Sequence, residues 1–126
     1  MTHDEILNME AGQDLDEMIA DRVMGFGIVK RKIEQWRNYG VTYVKRKSES
    51  GIEYLDDLPH YSSDIADAWQ VVEKSKGFML ENRQIYEADR WDCEIAFDGY
   101  TYESTANTAP LAICRAALIA ALEAQE

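Results

Sequence analysis

Basic residues are scarce in this chain: 13 Lys and Arg stand against 24 Asp and Glu, a formal net charge of −11 over 126 residues. That shortage opposes general binding to DNA or RNA, which depends on phosphate neutralisation by cations, and it opposes docking on anionic membranes. Cysteine occurs only twice, at Cys93 and Cys114, and proline only twice. Two thiols do not make a disulfide framework; they read as reduced, buried side chains. Long apolar runs are missing too. The richest stretch, from Ala109 to Leu122, is broken by Arg115 and is too short to span a bilayer. The first residues, Met1-Thr2-His3-Asp4-Glu5, lack the basic and apolar regions of a secretory leader, so the expected location is the cytoplasm. No CxxC, HxxxH or HExxH spacing occurs, and neither a metal site nor a cofactor is expected.

What is present suits one soluble domain over residues 1–126: 46% apolar and 29% charged residues are an ordinary globular balance. The charge is unevenly placed. Residues 1–29 carry seven acids and one base, residues 30–47 carry seven bases and one acid, and the remainder carries sixteen acids and five bases. A basic segment therefore stands between two acidic ones.

The order of elements can be read from local signals. Thr2 and Glu5 have capping-box spacing and predict a short helix through Ile6 and Met9. Leu15, Met18, Ile19 and Val23 predict a second, stopped by Gly25 and Gly27. Helical period is then lost. Apolar and aromatic runs around Arg37-Asn38-Tyr39-Gly40 predict a basic β-hairpin at about residues 28–50, followed by an irregular connection at Asp56–Pro59. A third helix is expected to start with a serine cap at Ser62-Ser63-Asp64, to bury Ile65, Ala68, Trp69 and Val72, and to stop at Gly77. Strands follow from Phe78 onward. Trp91, Cys93, Ile95 and Phe97 alternate with polar or small residues, and Asp98-Gly99 marks a tight turn that sets Phe97 opposite Tyr100, Ile95 opposite Tyr102 and Cys93 opposite Ser104. The last helix runs from about Thr108 to Ala124 and is apolar on more than one side, so it needs cover on more than one side. The fold class is α+β, in the order α-α-β-β-α-β-β-β-α.

Two stretches carry a family resemblance: residues 59–74, PHYSSDIADAWQVVEK, and residues 106–118, ANTAPLAICRAAL. With Ala11-Gly12-Gln13-Asp14-Leu15-Asp16 and Val23-Met24-Gly25-Phe26, they resemble the phage ABA sandwich domain family, small proteins of bacteriophages and prophages. The resemblance implies an antiparallel sheet sandwiched between helical layers and a working place inside an infected bacterial host. It brings no reaction with it.

Three constellations bear on function. His60, Ser62, Ser63 and Asp64 supply the residue types of a hydrolytic triad, but adjacency in sequence is not triad geometry, and the same residues make an ordinary helix entry. The last helix has no acid between Asn107 and Ala117, so its positive dipole end lacks compensation from sequence neighbours. Amides there favour anions, and Arg115 could reinforce them if the fold brings its side chain round. The alternative is a plain cap at Asn107 or Thr108, with Arg115 paired to a surface acid such as Glu103. The third constellation is the basic hairpin, where Lys30, Arg31, Lys32, Lys45, Arg46 and Lys47 lie near Trp36. Aromatics among bases can bind single-stranded nucleic acid, but the charge elsewhere favours an inter-subunit or intramolecular match to acidic segments.

The reading that joins these features is a phage-encoded, non-enzymatic binding protein, expected to be a homo-oligomer. It would capture a small anionic ligand, such as a nucleotide-derived host-defence signal, with Tyr61, Ser62, Asn107, Thr108 and Arg115 as contacts. The alternatives are a protein-interaction module that docks on a host or phage protein, and a small hydrolase of a phosphate-containing signal with His60 or an Asp as base.

Overall fold

The structure, a computed structural model, describes residues 1–32, 40–85, 88–97 and 99–124. Chain order gives α1 (His3–Leu7), α2 (Gln13–Met18) with a π-helical turn (Ile19–Val23), β1 (Gly27–Lys32), β2 (Gly40–Lys47), β3 (Glu53–Asp57), α3 (Ile65–Lys74), β4 (Gly77–Ile85), β5 (Ala88–Phe97), β6 (Tyr100–Ala106) and α4 (Ala109–Ala124). This is the expected α+β arrangement with one strand more. Glu53–Asp57, whose last two residues are expected to begin an irregular connection, pairs antiparallel with β2, Tyr43 opposite Asp57 and Lys47 opposite Glu53. Ladder bonds to the already formed hairpin overrule the weak strand propensity of the two aspartates.

The strands form two antiparallel sheets, β1-β2-β3 and β4-β5-β6. The hairpin of β1 and β2 is present, with Lys32 opposite Gly40; its predicted turn at Asn38, and Trp36, lie outside the described residues. The β5–β6 register is the one expected from the Asp98-Gly99 turn, Phe97 opposite Tyr100, Ile95 opposite Tyr102 and Cys93 opposite Ser104. Gly99 has φ +87, a left-handed conformation that L side chains adopt at a cost.

α4 is the centre of the molecule. Eleven of the twelve positions from Ala109 to Ala120 are buried, Arg115 being the exception. Cys93 and Ile95 of the second sheet press on it from one side, and α3, the π-helical turn and α1 cover the rest. Alanines at 112, 116 and 120 let these neighbours approach its backbone closely. No helix among the described residues is long and apolar enough to cross a membrane.

α3 departs from expectation in two details. Its cap is Asp64, whose side chain accepts from the amides of Ala66 and Asp67, and not a serine. Ser62 is committed to a buried network instead, as described below. Ala68, Val71 and Val72 form the buried face, whereas Ile65 and Trp69 are 50% and 47% exposed. The N-terminal turn of α3 leans off the core, and Trp69 packs only edge-on against Phe78 of β4, centroids 5.6 Å apart. The helix ends at Lys74, and Gly77 opens β4.

Candidate functional site

The first turn of α4 is itself buried, at Ala109, Pro110 and Leu111. The Thr108 carbonyl accepts the first helical bond, from Ala112 N at 3.1 Å, which makes Thr108 the cap position. Asn107 and Thr108 are exposed, and the first turn contains no acid. Helical side chains slant toward the N-terminus, and Arg115 follows that rule. Its Nη1 donates to the Thr105 carbonyl at 2.9 Å, three residues ahead of the cap. Its Nε and Nη2 donate to the Met9 carbonyl at 3.0 and 2.6 Å. Among the described residues the hydrogen-bond partners of this guanidinium are thus backbone carbonyls and not Glu103. Burial draws the Arg115 pKa down from its ordinary value, with Glu10 acting in the opposite direction.

Ser62 holds the same N-terminal segment at its other end. Its hydroxyl accepts from Gly12 N at 3.0 Å and donates to Asp16 Oδ1 at 2.6 Å, while its own amide donates to that oxygen at 2.7 Å. Tyr61 is fully buried, and its hydroxyl has no hydrogen-bond partner among the described residues. Burial pushes its pKa up to about 12, with Arg46 acting against the rise. Of the five candidate contacts, Ser62 and Arg115 therefore meet through residues 9–12, Tyr61 lies in the core, and no side-chain hydrogen bond joins Asn107 or Thr108 to this network among the described residues.

Sequence reasoning missed Asp16. This carboxylate is only 2% exposed and borders a cleft of about 370 Å³ that Gln13, Thr42, Asp57, His60 and Ser63 also line. Burial lifts the Asp16 pKa above the ordinary 3.8, against the lowering effect of the two Ser62 hydrogen bonds. The signal was present: Asp16 lies three and four residues before Ile19 and Ala20, both fully buried, so it sits on the apolar stripe of its helix. The neighbouring Glu17 behaves differently. Burial works to raise its pKa, but hydrogen bonds from Gln13, Thr42 and Lys30 outweigh it and hold the carboxyl below its usual range.

The hairpin bases divide. Lys30 pairs with Glu17 at 3.2 Å. Arg46 reaches Asp56 and Gln70 at 3.4 Å each and stacks over Phe26 at 4.9 Å. These two make the intramolecular match to acidic neighbours. Lys45 and Lys47 are exposed; Arg31 and Lys32 hold strand positions in β1, and their side chains lie outside the described residues.

Both thiols and the Ser62 hydroxyl are sealed, whereas Ser63 is exposed. Burial pushes the Cys93 thiol up to about 12 and raises Cys114 further, and the Ser62 hydroxyl already donates to Asp16. Among the described residues no three His, Cys, Asp or Glu side chains converge as a metal site. The face of the second sheet turned away from α4 carries Glu81, Arg83, Arg90, Asp92, Glu94 and Glu103 around a depression of about 410 Å³. Glu94 stands directly opposite Glu103, and a hydrogen bond shared with it raises the Glu94 pKa.

Residues 17–118 match the phage ABA sandwich domain. The chain is similar to a phage protein from Bacillus cereus solved by crystallography at 2.0 Å, with 26% identity and a TM-score of 0.60, over 88% of this chain and 92% of that one. Comparison with curated proteins returns no significant match.

Proposed function

Since the chain belongs to the phage ABA sandwich domain family, we propose that it is a phage-encoded, non-enzymatic binding protein that captures a small anionic ligand. One observation carries the reading. The first turn of α4 has no acid to satisfy its dipole, Asn107 and Thr108 before it are exposed, and the fold brings the Arg115 guanidinium back to the same residues. Three of its five N–H groups go to carbonyls, and the other two have no hydrogen-bond partner among the described residues. The sealed thiols and the committed Ser62 hydroxyl favour binding over turnover. A phosphate-bearing signal of host defence is the ligand class that suits a phage protein.

The test is calorimetry with inorganic phosphate and a panel of mono-, di- and cyclic nucleotides, on the wild type and on Thr108→Asp. Aspartate is a good cap residue at an exposed position, so the variant keeps its fold while placing a negative charge where the ligand would sit. Saturable binding by the wild type, weakened at least tenfold in the variant, supports the reading. The absence of any response up to millimolar ligand overturns it.

A second reading, docking on a host or phage protein, draws on the exposed Ile65 and Trp69 and on the free Lys45 and Lys47. One stable partner in a pull-down, lost on neutralising the two lysines, would favour it. Self-association belongs to either reading and is checked by light scattering coupled to size exclusion.

A further inference from the structure

We propose that the cleft beside Asp16 is a second binding site, for a small organic cation of the alkylammonium or alkylguanidinium type. The cleft volume of about 370 Å³ falls at the lower end of small-ligand pockets. Its chemistry is one-sided. Asp16 and Asp57 line it, no Lys or Arg among the described residues does, and Leu58 supplies an apolar wall for a short alkyl chain.

The Asp16 geometry does more than supply charge. Every hydrogen bond given to this carboxylate among the described residues falls on Oδ1, from the amide and hydroxyl of Ser62. Those bonds fix the rotamer, and Oδ2 is left without a donor in a residue that is almost wholly buried yet borders the cleft. That oxygen is not among the fully buried polar atoms left without a partner, so it meets the cleft itself, and a cationic ligand N–H there would make a charge-assisted hydrogen bond. His60 and Ser63 also line the cleft, where their polar atoms can accept or donate to the remainder of such a ligand. The desolvation that lifts the Asp16 pKa is the same burial that a cationic partner would offset.

The site is distinct from the α4 start, and the two stand or fall separately. Titration of the intact protein at low ionic strength with agmatine and with putrescine is the experiment. Saturable heat with a sub-millimolar Kd is expected for at least one of them. Asp16→Asn retains an acceptor for Ser62 and removes the charge; it should weaken binding at least tenfold while leaving any phosphate response unchanged. Ser63→Trp, an exposed position at the mouth, should obstruct the cleft to a similar degree without touching the core. Glu103→Gln, on the second sheet, should leave the affinity within twofold. No saturable heat, equal binding by Asp16→Asn, or an equal loss in Glu103→Gln (which would assign the effect to the overall charge of −11) would each overturn the proposal.

Discussion

Replacing Asp16 separates two roles of one side chain. In Asp16→Ala the Ser62 amide loses its acceptor in a buried place, and the Ser62 hydroxyl is left with a long 3.4 Å contact to the Gly12 carbonyl. A stranded buried donor costs about 1–3 kcal/mol, and the lost packing brings the total to about 2–4 kcal/mol. In a domain of this length each kcal/mol lowers Tm by about 4 °C, so a fall of about 8–15 °C is expected. Asp16→Asn keeps the acceptor and removes a desolvated charge, so its Tm at neutral pH should lie within about 4 °C of wild type. The pH dependence gives the sharper test. Burial holds the native Asp16 pKa above the ordinary 3.8, so the folded state retains the proton to higher pH than the unfolded chain. The stabilisation this confers is complete below the unfolded pKa and is lost as pH rises through the native one. Asparagine undergoes no such loss. Urea denaturation at pH about 4 and about 7.5 should therefore show Asp16→Asn gaining on wild type at the higher pH. A variant that loses as much stability as Asp16→Ala at both pH values would refute the reasoning and assign the negative charge itself a structural role.

Other outcomes follow from the same geometry. Arg115→Met removes three charge-assisted bonds to the carbonyls of Met9 and Thr105 and should cost about 2–3 kcal/mol in urea denaturation; an unchanged midpoint would show that water replaces the guanidinium without loss. Cys93 and Cys114 should resist alkylation by iodoacetamide in the native state at pH about 8 and react once unfolded, as mass spectrometry will read. Glu94→Gln relieves a like-charge pair with Glu103 whose proton-sharing raises the Glu94 pKa; the stability tied to that raised pKa fades as pH climbs, so the variant should gain Tm at neutral pH and little in acid. Trp69→Ala should cost about 1 kcal/mol, the value of one edge-on aromatic contact, and not the larger loss of a core tryptophan.

Local signals sufficed where one local interaction dominates. Tight-turn chemistry sets the β5–β6 register, and the uniformly apolar composition of α4 gave away its central position. They failed where a residue has two possible employers. Serine and aspartate at 62–64 are both good caps, and only the distant Asp16 decides that Ser62 is drawn inward and Asp64 becomes the cap. Ile65 and Trp69 keep helical spacing with Ala68 and Val72, yet the angle at which α3 meets α4 leaves the pair at the rim. Two of the hairpin bases were legible as charge but not as partners, because Glu17 and Gln70 reach them only through tertiary structure. Of the candidate site, Arg115 and the α4 start were legible from the missing acids; the Asp16 cleft was not, since its walls come from three separated segments.

The placement of α4 also bears on how the molecule is made. This helix emerges from the ribosome after every other described element, yet both the second sheet and the helices around it depend on its surface for their cover. Until it arrives, the nascent polypeptide holds two sheets and three short helical segments with nothing to wrap around. Productive collapse must then wait for the end of synthesis of this region, and shortened translation products should be recognised by cellular proteases as unfolded.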